Sequence, residues 1–226
     1  VTAEILRRVP ATLLLVGTSL FIALFIGTWA GAMVARRPGS LLDSSVSTLA
    51  VAAYSIPVFW LGLMLVLFFG VYLKWLPISG MYSLVVPKEG LARAFDVLNH
   101  LILPALALST VWIGQYVRLS RTSVAAVYNE QYITTVRAIG FPSRTILLHH
   151  ALRNALLPVV TVFGLQMGLV LTGAVLTETV FSWPGLGRLI YDAILARDMP
   201  IIMGAYVAMS VCVALASLIT DLLYAV

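Results

Sequence analysis

VPATLLLVGTSLFIALFIGTWAGAMVA, residues 9–35, contains no Asp, Glu, Lys or Arg. A helix needs about 20 apolar residues to cross the hydrocarbon core of a bilayer, and this stretch exceeds that length. A charge at the centre of such a helix costs about 2.5–3.5 kcal/mol on insertion scales, which accounts for the gap. Four more charge-free windows follow, at 44–73, 97–117, 154–177 and 199–220. The composition agrees, with 61% hydrophobic residues, 10% charged residues and a mean hydropathy of +1.03. A soluble domain carries about a quarter charged residues to cover its surface. The windows therefore predict an all-α polytopic membrane protein with five spanning helices.

Several functions are disfavoured at once. No Gly-Lys dipeptide occurs, so a Walker A phosphate loop cannot form, and neither His-Glu-x-x-His nor Gly-x-Ser-x-Gly is present. His149 and His150 are adjacent, and helix neighbours point about 100° apart, a poor arrangement for one metal. The one cysteine, Cys212, permits no internal disulfide or cysteine metal cluster and reads as a small buried hydrophobe. The isoelectric point near 9.6 comes from arginines scattered at span ends, where headgroup anchoring explains them better than nucleic acid does. The chain starts at Val1 rather than Met, so a longer gene product is expected. The segment from Val9 is too long for a signal-peptide core.

The connections differ in character. Residues 36–43 form a short, basic hairpin containing Pro38 and Gly39, and 74–96 an irregular excursion with Pro77, Gly80, Pro87 and Gly90. Residues 178–198 hold the turn cluster Trp183-Pro184-Gly185-Leu186-Gly187 before a short amphipathic segment. Pro57 should kink the second span. Gly27-x-x-x-Gly31 and Gly164-x-x-x-Gly168 suit close helix packing. Charge counting leaves orientation open, because seven Lys and Arg fall on each side.

The longest connection, 118–153, reads as helical. In Asn129-Glu-Gln-Tyr-Ile-Thr-Thr-Val-Arg-Ala-Ile-Gly-Phe-Pro-Ser-Arg, Asn129 is a good N-cap and Glu130 suits the first turn. Gly140 fits the left-handed position beyond a helix end, and Ser143 suits the cap of a second helix after Pro142. The result is a helix of about ten residues presenting Tyr132, Ile133, Val136 and Ile139 alongside Arg137. Spacing alone allows two roles for it, an interfacial helix resting on lipid or a helix that docks on a partner.

This stretch resembles the loop that membrane subunits of ABC importers seat in a groove of their ATPases. The peptide-importer pattern Thr-Ala-Arg-Ala-Lys-Gly falls on Thr135-Val136-Arg137-Ala138-Ile139-Gly140. The run that follows it falls on His150-Ala151-Leu152-Arg153-Asn154-Ala155-Leu156-Leu157-Pro158. Two departures stand out. The family's Glu-Ala-Ala becomes Thr134-Thr135-Val136, and Ile139 replaces a basic residue. A second match, Leu176-Thr-Glu-Thr-Val-Phe-Ser-Trp-Pro-Gly-Leu-Gly-Arg188, continues through Arg197-Asp-Met-Pro200 and ends at Thr220-Asp-Leu-Leu-Tyr-Ala-Val226. It resembles the B-type permease subunit of dipeptide, oligopeptide and nickel ABC importers.

The resemblance implies a type I ABC importer permease fold with five of its six transmembrane helices covered. Residues 1–226 would be one transmembrane domain lacking its first helix, the following outer loop and the extreme C-terminus. Residues 129–153 would be a cytoplasmic ATPase-coupling loop, with contacts drawn from Glu130, Tyr132, Ile133, Arg137, Ala138, Gly140, Phe141 and Arg144. The implied partners are a second, C-type permease subunit, two ATP-binding cassette subunits holding ATP and Mg, an extracytoplasmic peptide-binding protein and the bilayer of a prokaryotic inner membrane. No cofactor, metal or nucleic acid would bind this chain, and ATP hydrolysis would lie on the partners. Short peptides would pass by alternating access. Nickel-chelate or glutathione import is the alternative within the family.

Candidates for the path are the polar groups inside spans, Tyr54, Ser55, Gln115, Gln166, Thr172 and Thr177, with Glu178 at a span end. Interhelical hydrogen bonding explains the first six equally well. Glu178 is read either as a partner for a peptide's amino terminus or as an interface marker. A secondary transporter would need charges within its spans for ion coupling, and a scaffold would not need the capped helix.

Overall fold

The computed structural model describes residues 1–83, 89–169 and 174–224, apart from the side chains of 167–169, 216, 219–221, 223 and 224. Among the described residues there is no strand. Ten helices run in order: α1 Thr2–Val34, α2 Leu41–Ser55, α3 Val58–Leu65, α4 Gly90–Tyr128, α5 Gln131–Ala138, α6 Ser143–Thr145, α7 Leu152–Leu169, α8 Val175–Val180, α9 Leu186–Ala196 and α10 Met199–Tyr224. Wider π-helical turns extend α3 over Val66–Tyr72 and join α6 to α7 over Ile146–Ala151.

Three described helices are long and apolar enough to span a bilayer alone, at Thr2–Val34, Gly90–Tyr128 and Ser143–Gln166. A fourth qualifies if the pair Leu41–Ser55 and Val58–Tyr72 counts as one. The last charge-free window folds as α10, whose apolar run is described from Met199 to Leu215.

The second window departs from expectation. Instead of one kinked helix, α2 and α3 are separate and bent by 98°. Pro57 has φ −60° and ψ 126°, its ring disfavours helical backbone at Ile56, and it offers no N–H. The helix restarts only when the Leu61 N–H reaches the Pro57 carbonyl at 3.0 Å. The connection at 118–153, read as helical, is largely helical. α4 runs to Tyr128 and helix resumes at Ser143, so α5 alone stands between them.

The helices group into two compact units. One comprises Val1–Leu20, Ile56–Ser109 and Gly164–Val226. Its core joins Ile5 of α1 to Leu186, Leu189 and Ile190 of α9 and to Ala205 and Met209 of α10. A second cluster sets Phe181 against Leu103 and Ala107 of α4, while Gly62 of α3 approaches the Phe181 ring without a side chain between them. Arg197 closes α9 in the left-handed conformation, and the Asp198 carboxylate caps α10 by accepting the Ile201 N–H at 3.1 Å.

The other unit comprises Phe21–Ser55 and Thr110–Phe163. Here the Gly27/Gly31 spacing does what was expected of it. A Cβ at Gly27 would lie 2.6 Å from the Tyr116 Cβ, and one at Gly31 would overlap the Val117 carbonyl, so α1 and α4 touch backbone to backbone. Close approach lets the Ser120 hydroxyl donate to the Thr28 carbonyl at 2.9 Å. Ala23, Tyr116 and Val159 form the core beside this crossing. The surroundings of Gly168, in the other glycine pair, lie outside the described residues.

Candidate functional site

The docking candidate is built by the end of α4. The N–H groups of Asn129 and Glu130 still bond back to Ala126 and Val127, each at 3.1 Å. Asn129 therefore belongs to the closing turn of α4, and the cap of α5 falls one residue later than expected, on Glu130 at φ −71° and ψ 145°. Glu130 caps with its carbonyl, which accepts the Ile133 N–H at 3.1 Å, and its side chain makes no cap bond. At the far end Gly140 takes φ +92° and its N–H bonds to the Arg137 carbonyl at 3.0 Å. This is the left-handed C-cap expected of it. Pro142, rather than Ser143, holds the next cap position, because its fixed φ and β-region ψ suit the residue before a helix.

Burial separates the loop's residues into two sets. Ile133 is fully buried against Ile146 and Ala151, with Val127, Tyr128 and Val136 around it. It anchors α5 to the chain's own helices and cannot meet a partner, which corrects its place among the expected contacts. Tyr132 also braces the loop, since its hydroxyl donates to the His150 carbonyl at 3.2 Å and accepts from the Asn154 amide at 2.8 Å. Phe141 lies edge-on to the His150 ring at 5.8 Å. Glu130, Tyr132, Arg137, Ala138, Ile139, Gly140, Phe141 and Arg144 remain exposed. The result is a short helix fixed from beneath and open on its outer side.

A second constellation lies in the unit containing α8 and α9, around Glu178. Its side chain is fully buried. Thr12 of α1 donates its hydroxyl to Glu178 Oε1 at 2.7 Å and accepts the Leu186 N–H at 2.8 Å. The Arg188 N–H reaches Glu178 Oε2 at 3.0 Å, and the Gly187 N–H also bonds to the carboxyl group. Trp183, fully buried, donates its indole N–H to the Ala11 carbonyl at 2.8 Å. A Cβ at Gly185 would fall on the Glu178 carboxyl group. Glu178 is therefore a structural lock between α1 and the Trp-Pro-Gly-Leu-Gly turn. It is closed to a peptide's amino terminus, because its oxygens are already occupied and no solvent reaches it.

The remaining path candidates divide between the two units. In one, Gly114 sits against the Ala50 carbonyl and the Tyr54 Cβ, which places Tyr54 and Ser55 at the α2–α4 crossing that Gln115 follows. Tyr54 is exposed, and the Ser55 hydroxyl returns to the Val51 carbonyl at 2.9 Å. In the other unit, Gln166 and Thr177 are buried, and Thr172 lies outside the described residues. Among the described residues no three His, Cys, Asp or Glu side chains converge as a metal site would require.

One polar pair escaped sequence reasoning. Asp43 of α2 is buried and bonds to the Arg121 guanidinium of α4, with Nη2 to Oδ2 at 2.7 Å. The Gly39 N–H also reaches it at 2.9 Å, while Ser40 Oγ accepts the Asp43 N–H at 3.2 Å. Ser40-x-x-Asp43 ahead of an apolar run is a capping-box signature. That was the available signal.

With these elements placed, comparison with known proteins decides the family. Residues 13–226 match the family described as "Binding-protein-dependent transport system inner membrane component". This chain belongs to that family. Among its relatives, the di/tripeptide transport system permease protein DppB of Pseudomonas aeruginosa is 42% identical over 98% of this chain and 70% of its own length. The dipeptide transport system permease protein DppB of Escherichia coli K12 is 40% identical over 99% of the chain and 71% of its own. The oligopeptide transport system permease protein AppB of Bacillus subtilis is 40% identical over 100% and 70%. In fold, the permease is similar to a chain of the inward-facing MetNI methionine ABC transporter, with a TM-score of 0.76 and 19% identity over 97% of this chain and 94% of that one. The permease is thus an inner-membrane transport component with an importer-type helical fold, and its family is not itself catalytic.

Proposed function

We propose that this chain is the B-type permease subunit of an ATP-driven importer that moves short peptides into the cytoplasm. The observation that carries the proposal is identity of 40% or more, over almost the whole chain, to permeases named for dipeptides, di/tripeptides and oligopeptides. A second permease subunit, of C type, completes the path. An extracytoplasmic binding protein delivers substrate, and two ATP-binding cassette subunits bind ATP and Mg.

Coupling is assigned to α5. Its exposed edge, Arg137, Ala138, Ile139, Gly140 and Phe141, with Glu130 and Arg144 at its flanks, is the surface an ATPase groove would hold on the cytoplasmic side. Support comes from the bracing of Ile133 and Tyr132, since a helix fixed at its base transmits a push to α4 and α7. ATP must favour one helix arrangement over another through different contacts in each, or the equilibrium does not move. The path assignment keeps the weakly polar groups Tyr54, Ser55, Gln115, Gln166, Thr172 and Thr177 as candidates, suited to peptides of varied side chains, and omits Glu178.

The division of labour is testable. The purified chain alone should show no saturable ATP binding and no hydrolysis. The assembled complex should hydrolyse ATP faster once loaded binding protein is added. Saturable nucleotide binding by the isolated chain would contradict the assignment of ATP to separate subunits.

A further inference from the structure

A cavity of 380 Å³ opens in the unit that holds α5, and three arginines line it. Arg36 and Arg37 come from the turn after α1, and Arg137 comes from α5. Among the described residues none of the three has a carboxylate within ion-pair distance. Arg121, in the same unit, shows the contrast, because Asp43 neutralises it. The Arg137 guanidinium lies 5.2 Å from the Tyr128 ring centroid, and that contact supplies no compensating charge. Ser143 adds a hydroxyl to the lining, and Phe141 and Ile146 add apolar wall.

The three arginines are exposed, and an anion seated in the concavity would meet three charges of the opposite sign at once. Guanidinium groups are forks that match phosphate oxygens two at a time. The depth of the cavity also fits. α1 has 33 residues, about 50 Å at about 1.5 Å per residue, against a hydrocarbon core of about 30 Å. The charge-free window 9–35 ends directly before Arg36 and Arg37, the position at which span-end arginines meet the headgroup layer, where basic pockets hold phosphate-bearing headgroups.

We propose that this cavity binds a phosphate group, held by Arg36, Arg37 and Arg137, and so ties the α1–α2 turn to α5. The group could be supplied by the phosphodiester of an anionic lipid or by soluble phosphate, and the test separates these sources. It does not depend on which solute the transporter carries.

The assembled transporter would be placed in nanodiscs of phosphatidylcholine, with or without phosphatidylglycerol, and retained lipid read by native mass spectrometry. Binding of radiolabelled inorganic phosphate would be measured in the phosphatidylcholine discs. The double variant R36Q/R37Q is compared with R36K/R37K, which keeps the charge and controls for folding. We expect R36Q/R37Q to retain roughly tenfold less phosphatidylglycerol or more, with R36K/R37K between it and the wild type. Phosphate binding without phosphatidylglycerol retention, lost in R36Q/R37Q, would assign the site to soluble phosphate. Equal phosphatidylglycerol retention by wild type and R36Q/R37Q, with no inorganic phosphate bound by either, would overturn the proposal.

Discussion

Replacing Gly185 with alanine is expected to break the lock between α1 and the α8–α9 turn and to deplete the chain from the membrane. The added Cβ would occupy the position of the Glu178 carboxyl group. To make room, that group must leave Thr12, Gly187 and Arg188, its three donors. A buried polar group left without its partner costs about 1–3 kcal/mol, so three donors at the lower figure already cost about 3 kcal/mol. That is a large share of the roughly 5–15 kcal/mol that holds a domain folded. Gly17→Ala supplies the contrast. Gly17 lies within α1, and nothing lies within 4 Å of a Cβ there, so the change should be neutral or stabilise by up to about 1 kcal/mol. Thermal unfolding in detergent, together with membrane abundance, would read both. A Gly185→Ala protein that melts with the wild type would contradict the lock.

Gly140→Val should uncouple transport from ATP hydrolysis while leaving the chain in the membrane. Nothing lies within 4 Å of a Cβ at Gly140, so steric crowding is not the mechanism. The effect acts through φ +92°, a backbone conformation that a β-branched residue adopts only under strain. Relieving the strain moves the end of α5 and with it Arg137, Ala138 and Phe141. About 1.4 kcal/mol of misplacement corresponds to a tenfold loss, and we expect substrate-stimulated ATPase activity and uptake to fall by about that factor or more. Gly140→Asn should be milder, because asparagine tolerates left-handed backbone. Normal stimulation in a correctly inserted Gly140→Val complex would remove α5 from the coupling role.

Local features were legible in the sequence wherever a local rule governs them. Charge-free windows marked the apolar helices, because a missing charge needs no knowledge of tertiary structure. Gly140 announced its left-handed cap, and Gly27 and Gly31 announced a close crossing. The errors came where a distant partner decides. Glu178 had two readings at a span end, an available carboxylate or an interface marker, and the sequence did not show that Thr12, 166 residues away, occupies it. Ile133 looked like part of an outward apolar face, yet the wider turn at Ile146–Ala151 covers it. Asn129 and Ser143 are better cap residues by preference than Glu130 and Pro142. The closing bonds of α4 still engage Asn129, which moves the cap of α5 one residue on to Glu130, and Pro142 already has the cap backbone. Pro57 was read correctly as a disturbance but not as a break of 98°, since neighbouring helices set how far a proline opens a helix.

The central claim is that this permease carries short peptides at the expense of ATP bound elsewhere in its complex. Uptake of labelled di- to tetrapeptides into proteoliposomes, holding the complete transporter with its binding protein, tests it most directly. The account predicts peptide accumulation that requires ATP on the ATPase side and is competed by unlabelled peptides of similar length. Uptake of nickel chelate or glutathione, with peptides neither entering nor competing, would contradict the peptide assignment.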